Sequence, residues 1–185
     1  MRPVEALHAA RELELVELVT PEGEAHGRAT VDVAHRQPGA LHRAFSVLLL
    51  TADGRTLLQR RAAGKTRFPL RWANSCCGHP APGEPVALAA ARRLAEELGI
   101  SDVPLSEVGV YLYRAEDPGT DRVEHEYDHV LVGLVSAELA VAPDSAEVAE
   151  LRWVAASALR EEIVAAPDAY APWLHGVLSV VLDLS

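Results

Sequence analysis

The chain is poor in cysteine. Its two cysteines, Cys76 and Cys77, are neighbours in a sequence of 185 residues. Side chains of adjacent residues in an extended segment point to opposite faces, so we expect no bridge between them. The sequence therefore excludes a disulfide framework and fits a reducing compartment.

Long apolar runs and positive charge are also scarce. No stretch approaches the length of a membrane span, and no basic region leads into an apolar run near the N-terminus. The formal net charge is −10, and no basic patch is dense enough to neutralise many phosphates. We therefore expect a cytoplasmic protein, a monomer or weak dimer, that binds neither membranes nor nucleic acid. An anionic substrate would need a metal ion or a few well-placed cations.

Apolar periodicity predicts short strands and a few helices. Residues 12–20 and 30–35 alternate polar and apolar residues as half-buried strands do, whereas residues 1–10 look like a loosely packed lead-in. Residues 44–50 form a continuous apolar run, which suits a strand covered on both faces. Further strands are predicted at 108–115, 123–135 and 148–154, and helices at 156–166 and 172–184. This order favours an α+β fold, an α/β/α sandwich on a mixed sheet.

Residues 72–100 are the stretch on which the functional prediction depends. A short apolar segment leads into a turn, and Pro85, directly after an acidic residue, marks the start of a helix. Gly99 lies where a left-handed C-cap would end that helix. Arg93 and Glu97 are four residues apart and share a face, so they form either a solvated ion pair or part of a site.

Two residue pairs of possible functional importance lie two apart in extended segments, so the members of each pair point to one side. Cys77 and His79 are the first pair, and the alternative for them is a buried thiol beside a hydrogen-bonded histidine. Glu124 and Glu126 are the second, and their like charges are unfavourable without a cation or a shared proton. A solvent-facing acidic edge is the alternative for the glutamates.

Histidines would add nitrogen ligands to these oxygens. Any one of the eight histidines is more often a surface or hydrogen-bonded residue than a ligand. Three of them, His35, His42 and His79, would form with the two glutamates a donor set that suits Mn²⁺, Mg²⁺ or Zn²⁺. Spacing alone does not bring these residues together, so their assembly rests on a family resemblance.

The helix and the turn before it resemble a Nudix box. The matching residues are Gly78, Glu84, Arg92, Leu94, Glu96, Glu97, Gly99 and Ile100. The box departs from the family pattern at Arg93, where a glutamate is usual. That change removes a cation ligand and adds a group whose geometry suits phosphate oxygens. The altered box is expected to keep a diphosphate substrate and to lose the means of hydrolysing it.

Several separated motifs together resemble the type I isopentenyl-diphosphate isomerases. They are H-x6-H-x-A-F-S from His35 to Ser46, W-x-N-S-x-C-G-H-P, the altered box, Y-R-A-x-D-P and V-E-x-E. The resemblance implies a Nudix fold, with a mixed β-sheet flanked by helices, in one domain over residues 1-185. Its core would span about 42-165, with added strands at 12-35 and an added helix at 170-183.

The same resemblance implies two metal sites. One divalent metal, Mn²⁺, Zn²⁺ or Mg²⁺, would be held by His35, His42, His79, Glu124 and Glu126. A second ion, Mg²⁺, would be held by Glu97 with the Cys77 backbone and completed by the substrate's diphosphate.

The implied reaction interconverts isopentenyl diphosphate and dimethylallyl diphosphate by protonation and deprotonation. By resemblance Cys77 and Glu126 handle the two protons, Tyr113 supports the acid, and the π face of Trp173 stabilises the carbocation. The basic residues that match diphosphate contacts are Arg61, Lys65 and Arg93. The family often carries a lysine where Val31 stands, so diphosphate binding is expected to depend more on the remaining cations.

Two other functions remain open from the residues. A Nudix pyrophosphohydrolase acting on a nucleoside diphosphate derivative would fit the box, although Arg93, Cys77 and His79 count against hydrolysis. A catalytically silent metal-binding module would leave the combination of Cys77, Glu126 and Trp173 without an explanation.

Overall fold

The computed structural model describes residues 4–183, which form nine strands, five α-helices and one 3₁₀ turn at Pro167–Ala169. The strands are β1 (Leu15–Val19), β2 (Ala25–Thr30), β3 (His42–Leu50), β4 (Arg55–Arg61), β5 (Trp72–Ala73), β6 (Cys76–Gly78), β7 (Leu105–Glu116), β8 (Val123–Leu134) and β9 (Val148–Ala155). The helices are α1 (Val4–Glu12), α2 (Val31–Ala34), α3 (Val86–Leu98), α4 (Ala156–Ala165) and α5 (Leu174–Leu182). Within residues 4–183 every helix is too short or too polar to cross a bilayer.

The central strand of the nine-stranded mixed sheet is β3. It pairs in parallel with β8 along its whole length, beginning with His42 opposite Glu126. Its other edge is shared by β1, β6 and β4, all antiparallel. β7 extends the sheet beyond β8, while β5 and β9 pair with β4 and β2 pairs with β1. The strands that carry most of the candidate site residues therefore meet around β3.

Helices cover both faces of this sheet. Val47 of β3 and Leu57 of β4 belong to the core cluster that contains α3. Their neighbours Leu48 and Leu58 point to the opposite face, where α5 and its preceding turn pack, together with α4 beside β4. Because both faces are covered, the continuous apolar run at 44–50 is buried on both sides. The predicted α/β/α sandwich on a mixed sheet is confirmed.

Helix α3 has the ends that the sequence predicts. Pro85 has extended backbone geometry at the N-cap, and Gly99 caps the C-terminus in the left-handed conformation with φ of 65°. The face shared by Arg93 and Glu97 is turned inward, and these side chains are only 6% and 2% exposed. The ion pair between them is therefore buried and not solvated.

Two N-terminal predictions are wrong. Residues 31–34 form helix α2 instead of a strand, and Thr30 caps it by accepting a hydrogen bond from the Val33 amide at 3.3 Å. The predicted lead-in at residues 1–10 contains α1 from Val4 onward. Residues 1–3 of that segment lie outside the described residues.

The C-terminal helix is shorter than the predicted span of 170–183. It begins at Leu174, because Tyr170 forms a bridge to Trp72 and the Ala171 amide donates to the Trp72 carbonyl at 2.8 Å. Trp173 is the residue directly before the helix, and its side chain is 3% exposed. The turn at 171–173 directs the indole into the core between β3 and α5.

Candidate active site

The register of three strands aligns three site residues. Tyr113 of β7 lies opposite Glu126 of β8, which in turn lies opposite His42 of β3. On the other edge of β3, Cys77 of β6 lies opposite Ser46. Of these residues, Cys77, Tyr113 and Glu126 line one pocket, together with His79, Glu124 and Trp173.

The two cysteines face opposite ways, as predicted. Cys77 is partly exposed and lines the pocket, whereas Cys76 is fully buried with its Sγ 3.7 Å from Glu97 Oε2. Both are free thiols. Burial raises the pKa of Cys77 to about 12, although the Arg61 charge opposes this effect. Cys77 is therefore a protonated thiol at neutral pH.

Three histidines converge on Glu126. Their ring centroids are 4.5 to 5.0 Å apart. Glu126 Oε1 lies 3.0 Å from His79 Nε2, 3.6 Å from His42 Nε2 and 3.9 Å from His35 Nε2. One donor atom from each of these four residues lies within 4.8 Å of the others. The structure thus brings four of the five predicted metal ligands together.

The donor atoms of this cluster fit a metal ion. The Nδ1 atoms of His35 and His42 are 2.7 Å and 2.8 Å from the carbonyls of Val31 and Ala40, so each Nδ1 carries a proton that it donates. The Nε2 atoms point at the cluster and are buried without an aligned hydrogen-bond partner. Buried polar atoms are rarely left unpaired, so these nitrogens are suited to a cation.

The charges of the cluster support the same interpretation. Burial would lower the pKa of His35, but the nearby Glu124 carboxylate outweighs it and raises this pKa to about 9. Burial lowers the pKa of His79 to about 4. Burial would also raise the pKa of Glu126, yet the three histidines hold it well below its usual value. The carboxylates therefore favour positive charge at the centre, which a divalent ion would supply.

Glu124, the fifth predicted ligand, lies beside this group. Its Oε2 is 2.9 Å from His35 Nε2, and its Oε1 accepts a hydrogen bond from Arg67 Nε at 3.1 Å. One of its two oxygens is therefore taken by a guanidinium. The alternative of a solvent-facing acidic edge does not hold, since Glu124 and Glu126 are 5% and 8% exposed.

Tyr113 and Trp173 complete the apolar end of the pocket. The Tyr113 hydroxyl donates to Glu126 Oε2 at 2.6 Å. Trp173 Nε1 donates to Asn74 Oδ1 at 2.9 Å, which fixes the plane of the indole, and its ring centroid lies 6.1 Å from that of Tyr113. The aromatic side chains of Tyr113 and Trp173 thus line the same pocket as the two acid–base candidates, Cys77 and Glu126.

Arg61 is a buried cation without an acidic partner in the described part of the chain. Its guanidinium donates to the carbonyls of Arg67 and Phe68, at 2.8 Å and 3.0 Å, and Nη1 lies 3.9 Å from Cys77 Sγ. It also lies 5.3 Å from the Trp173 ring centroid. A buried charge is costly unless it is paired, so Arg61 is suited to an anionic ligand.

Lys65 and Arg93, the other predicted substrate contacts, line the same pocket. Both are paired with buried carboxylates: Lys65 with Glu147, and Arg93 with Glu97 and Glu147. The three predicted substrate-binding residues, Arg61, Lys65 and Arg93, therefore line one pocket.

Glu97 has its two oxygens occupied by protein donors. Arg93 pairs with Oε1, and Gln59 Nε2 donates to Oε2 at 2.9 Å. Lys65 Nζ is a further cation 3.9 Å away. These neighbours do not form a set of open oxygen donors, so they do not fit Mg²⁺ as arranged. Magnesium at Glu97 stays a prediction.

Three residues at the site were not singled out from the sequence. Arg67 lies in the basic loop at 62–71, so its charge was a visible signal, but its pairing with Glu124 was not. Arg11 reaches the pocket from α1. Glu147, at the start of the segment leading into β9, is fully buried among cations. A single carboxylate or arginine outside any motif carries no sequence signal for such a position.

Comparison with known proteins agrees with this geometry. A family model described as NUDIX domain matches residues 40–174. Isopentenyl-diphosphate Delta-isomerase of Nocardia farcinica is 60% identical over 165 residues, which covers 89% of this chain and 93% of that protein. The protein of the same name from Streptomyces coelicolor is 48% identical over 164 residues, 89% of this chain and 81% of its own length.

Solved structures show the same fold. A crystal structure from Deinococcus radiodurans aligns with a TM-score of 0.70 at 20% identity, over 89% of this chain and 97% of that one. A MutT protein from Methanosarcina mazei aligns with a TM-score of 0.61 at 19% identity, over 78% of this chain and 96% of that one. The architecture is the Nudix fold, and the chain belongs to the isopentenyl-diphosphate Delta-isomerase family of NUDIX-domain proteins.

Proposed function

We propose that the chain interconverts isopentenyl diphosphate and dimethylallyl diphosphate by moving one carbon–carbon double bond. The observation that carries this proposal is the composition of the pocket. A thiol, Cys77, and a carboxylate, Glu126, open onto one cavity beside an aromatic wall, and several cations line the same cavity. The names of relatives up to 60% identical support the same reaction.

The reaction adds a proton to one carbon and removes a proton from another. It therefore needs a proton donor and a proton acceptor that reach the same substrate. Cys77 is a thiol and Glu126 a carboxylate, so the two groups hold one transferable proton between them. The Tyr113 hydroxyl donates to Glu126 Oε2 and thereby fixes the orientation of this carboxylate. Either direction of isomerisation returns one proton to the pair.

The tertiary carbocation between the two proton transfers must be kept from water. Trp173 is buried, and its ring offers a π face that attracts positive charge. Phe68 packs against the indole in a T-shaped, edge-to-face arrangement, with centroids 5.7 Å apart, and closes this wall. We assign to these rings the exclusion of water and to Trp173 the stabilisation of the cation.

We further propose that His35, His42, His79 and Glu126 hold a divalent ion, Mn²⁺, Zn²⁺ or Mg²⁺, with Glu124 next to it. Nudix proteins as a family depend on divalent metals, and the donor cluster is compatible with that requirement. When bound, such an ion would set the acidity of the Glu126 carboxyl group through its charge. The substrate's diphosphate is assigned to Arg61, Lys65 and Arg93.

The test is isomerisation of labelled isopentenyl diphosphate in the presence of Mg²⁺. Allylic product is measured by its acid lability, and phosphate release is followed in the same tube. We expect allylic product without phosphate. Phosphate or pyrophosphate without allylic product would refute the isomerase proposal and favour a hydrolase of nucleoside diphosphate derivatives. If neither product forms, the remaining interpretation is a catalytically silent metal-binding module.

The extent of the domain, the cellular location and the partners of the chain are also proposals. We assign residues 1-185 to one domain with its core at about 42-165. A cytoplasmic location, a monomer or weak dimer, and the lack of nucleic-acid or membrane partners stay predictions from the sequence.

A further inference from the structure

We propose that Arg11, on the N-terminal helix α1, is an additional binding residue for the substrate's diphosphate. This inference rests on the proposed function and adds a residue that lies outside the NUDIX match at 40–174. Arg11 lines the same pocket as Cys77 and Trp173, and its side chain is 22% exposed. Helix α1 therefore supplies part of the wall of the pocket.

Arg11 joins the predicted substrate contacts at one carboxylate. Arg11 Nη2 lies 2.9 Å from Glu147 Oε1, and Arg93 Nη2 lies 3.6 Å from the same oxygen. Lys65 pairs with the other oxygen, Oε2. Three cations from three separate parts of the chain thus surround a single fully buried carboxylate. Because two of the three are proposed diphosphate contacts, the third is within reach of the same ligand.

The charge at this side of the pocket favours an anion. Arg11, Lys65 and Arg93 carry three positive charges, whereas Glu147 and Glu97 are the two buried carboxylates among them. Glu14 and Arg92 also line the pocket and add one charge of each sign. A third acid, Glu96, stands at the rim, and its side chain is 41% exposed to water that screens it. Nearby, Arg61 adds a cation without an acidic partner in the described residues. A diphosphate, with several negative charges, would balance this excess.

Arg11 has donors to spare for such a ligand. A guanidinium carries five N–H groups in a planar arrangement that matches phosphate oxygens. The Arg11 atom in both ion pairs is Nη2, which lies 2.9 Å from Glu147 and, more loosely, 3.5 Å from Glu96. Arg11 Nε is buried and has no hydrogen-bond partner among the described residues. An unpaired buried donor is costly, and a phosphate oxygen would remove that cost.

The position of Arg11 does not depend on Arg11 itself. One turn earlier, the His8 ring lies with Nε2 3.1 Å from the Ala146 carbonyl. On the other side, Glu12 Oε1 accepts hydrogen bonds from Arg67 Nη1 at 2.8 Å and from Thr66 Oγ1 at 2.9 Å. Helix α1 is therefore held at both flanks, and replacing Arg11 leaves these contacts in place.

The experiment compares Arg11→Gln with the native enzyme by two measurements. The first is the KM and kcat for isopentenyl diphosphate, and the second is calorimetric binding of inorganic pyrophosphate with Mg²⁺ to the metal-loaded enzyme. We expect KM and the pyrophosphate Kd to rise roughly 10-fold or more, with kcat nearly unchanged, because a charge-assisted contact is lost away from the reacting carbons. Arg11→Lys, which keeps the charge toward Glu147, should recover part of both values.

The matched control is Arg55→Gln, which removes one arginine charge and one ion pair, to Asp53, outside the pocket. It should leave KM and the pyrophosphate Kd unchanged. Values within twofold of native for both Arg11 variants would overturn the proposal. If Arg11→Gln does not fold, Arg11→Lys alone tests the proposal. A rise in its KM supports the proposal, and a KM within twofold of native overturns it. A native enzyme without isomerase activity would refute the proposed function instead, and pyrophosphate binding would still report on Arg11.

Discussion

Replacing Tyr113 by phenylalanine removes one hydroxyl from the proposed acid–base pair and leaves the ring in place. That hydroxyl donates to Glu126 Oε2 over 2.6 Å. Burial, and then the charge of Glu126, hold the pKa of Tyr113 well above its usual value, so the phenol keeps its proton at any working pH. The substitution therefore removes a permanent hydrogen-bond donor from a buried carboxylate.

The size of the effect follows from the charge of the acceptor. A hydrogen bond to a charged group contributes about 1.5–3 kcal/mol. If that amount is lost in the transition state, kcat falls roughly 10- to 150-fold. The histidines around Glu126 also help to orient this carboxylate, which reduces the loss. We therefore expect a fall in kcat near the lower end of this range.

The assay is kcat for isomerisation of labelled isopentenyl diphosphate, with circular dichroism to confirm the fold. Tyr111→Phe is the matched control, because Tyr111 lies two residues away on β7 with its ring stacked 5.3 Å from that of Tyr113. Its hydroxyl makes no hydrogen bond within residues 4–183. A Tyr113→Phe enzyme with kcat equal to that of Tyr111→Phe would refute the role assigned to Tyr113.

Three further substitutions test the site and its support. Cys77→Ala should abolish isomerisation while the thermal unfolding temperature changes little, and measurable turnover would remove Cys77 from the proton-transfer pair. Glu162→Gln tests a lowered pKa, which the hydrogen bond from the Tyr170 hydroxyl chiefly causes. The stabilisation by ionised Glu162 is present above its unfolded pKa near 4.5 and is lost as the pH falls through the lower folded value. Urea unfolding should therefore show native protein more stable than the variant at pH 7, with the gap closing as the pH falls below 4.5. Gly176→Ala would place a methyl group against the Tyr111 ring, so either α5 or that ring must shift. We expect about 1–3 kcal/mol lower unfolding free energy and reduced activity, whereas a native urea midpoint would contradict that packing.

Local pattern predicted the centre of the fold well. Residues 44–50 were correctly predicted to be a strand, because a strand that is buried on both faces appears in the sequence as a continuous apolar run. Gly99 likewise marked the end of α3, since its φ of 65° suits glycine. At 30–35, by contrast, the alternation of polar and apolar residues predicted a strand, whereas the structure has helix α2 there. Val31 and Ala34 are both buried at a spacing of three, which a one-turn helix satisfies, and Val33 is 58% exposed.

The sequence indicated candidate site residues where they belong to motifs and gave no signal for pocket residues that meet only through distant pairing. Cys77 and His79 follow from spacing and resemblance because they share one short strand and the turn after it. Arg11 and Glu147 meet only because α1 packs near the segment before β9, and nothing in either local sequence reports the other. Glu97 could be placed on its helix face, but its engagement by Gln59 depends on β4.

The parallel pairing of β3 with β8 also bears on how the chain reaches its native state. His42 and Glu126 are neighbours in the sheet and more than eighty residues apart in sequence. Closing so long a loop costs chain entropy before the native contacts form and offset that cost, so such pairings tend to form slowly. Until β8 docks, the apolar edge of β3 remains unpaired. The segment that assembles the active centre is therefore also the one through which a half-folded chain is most exposed to aggregation.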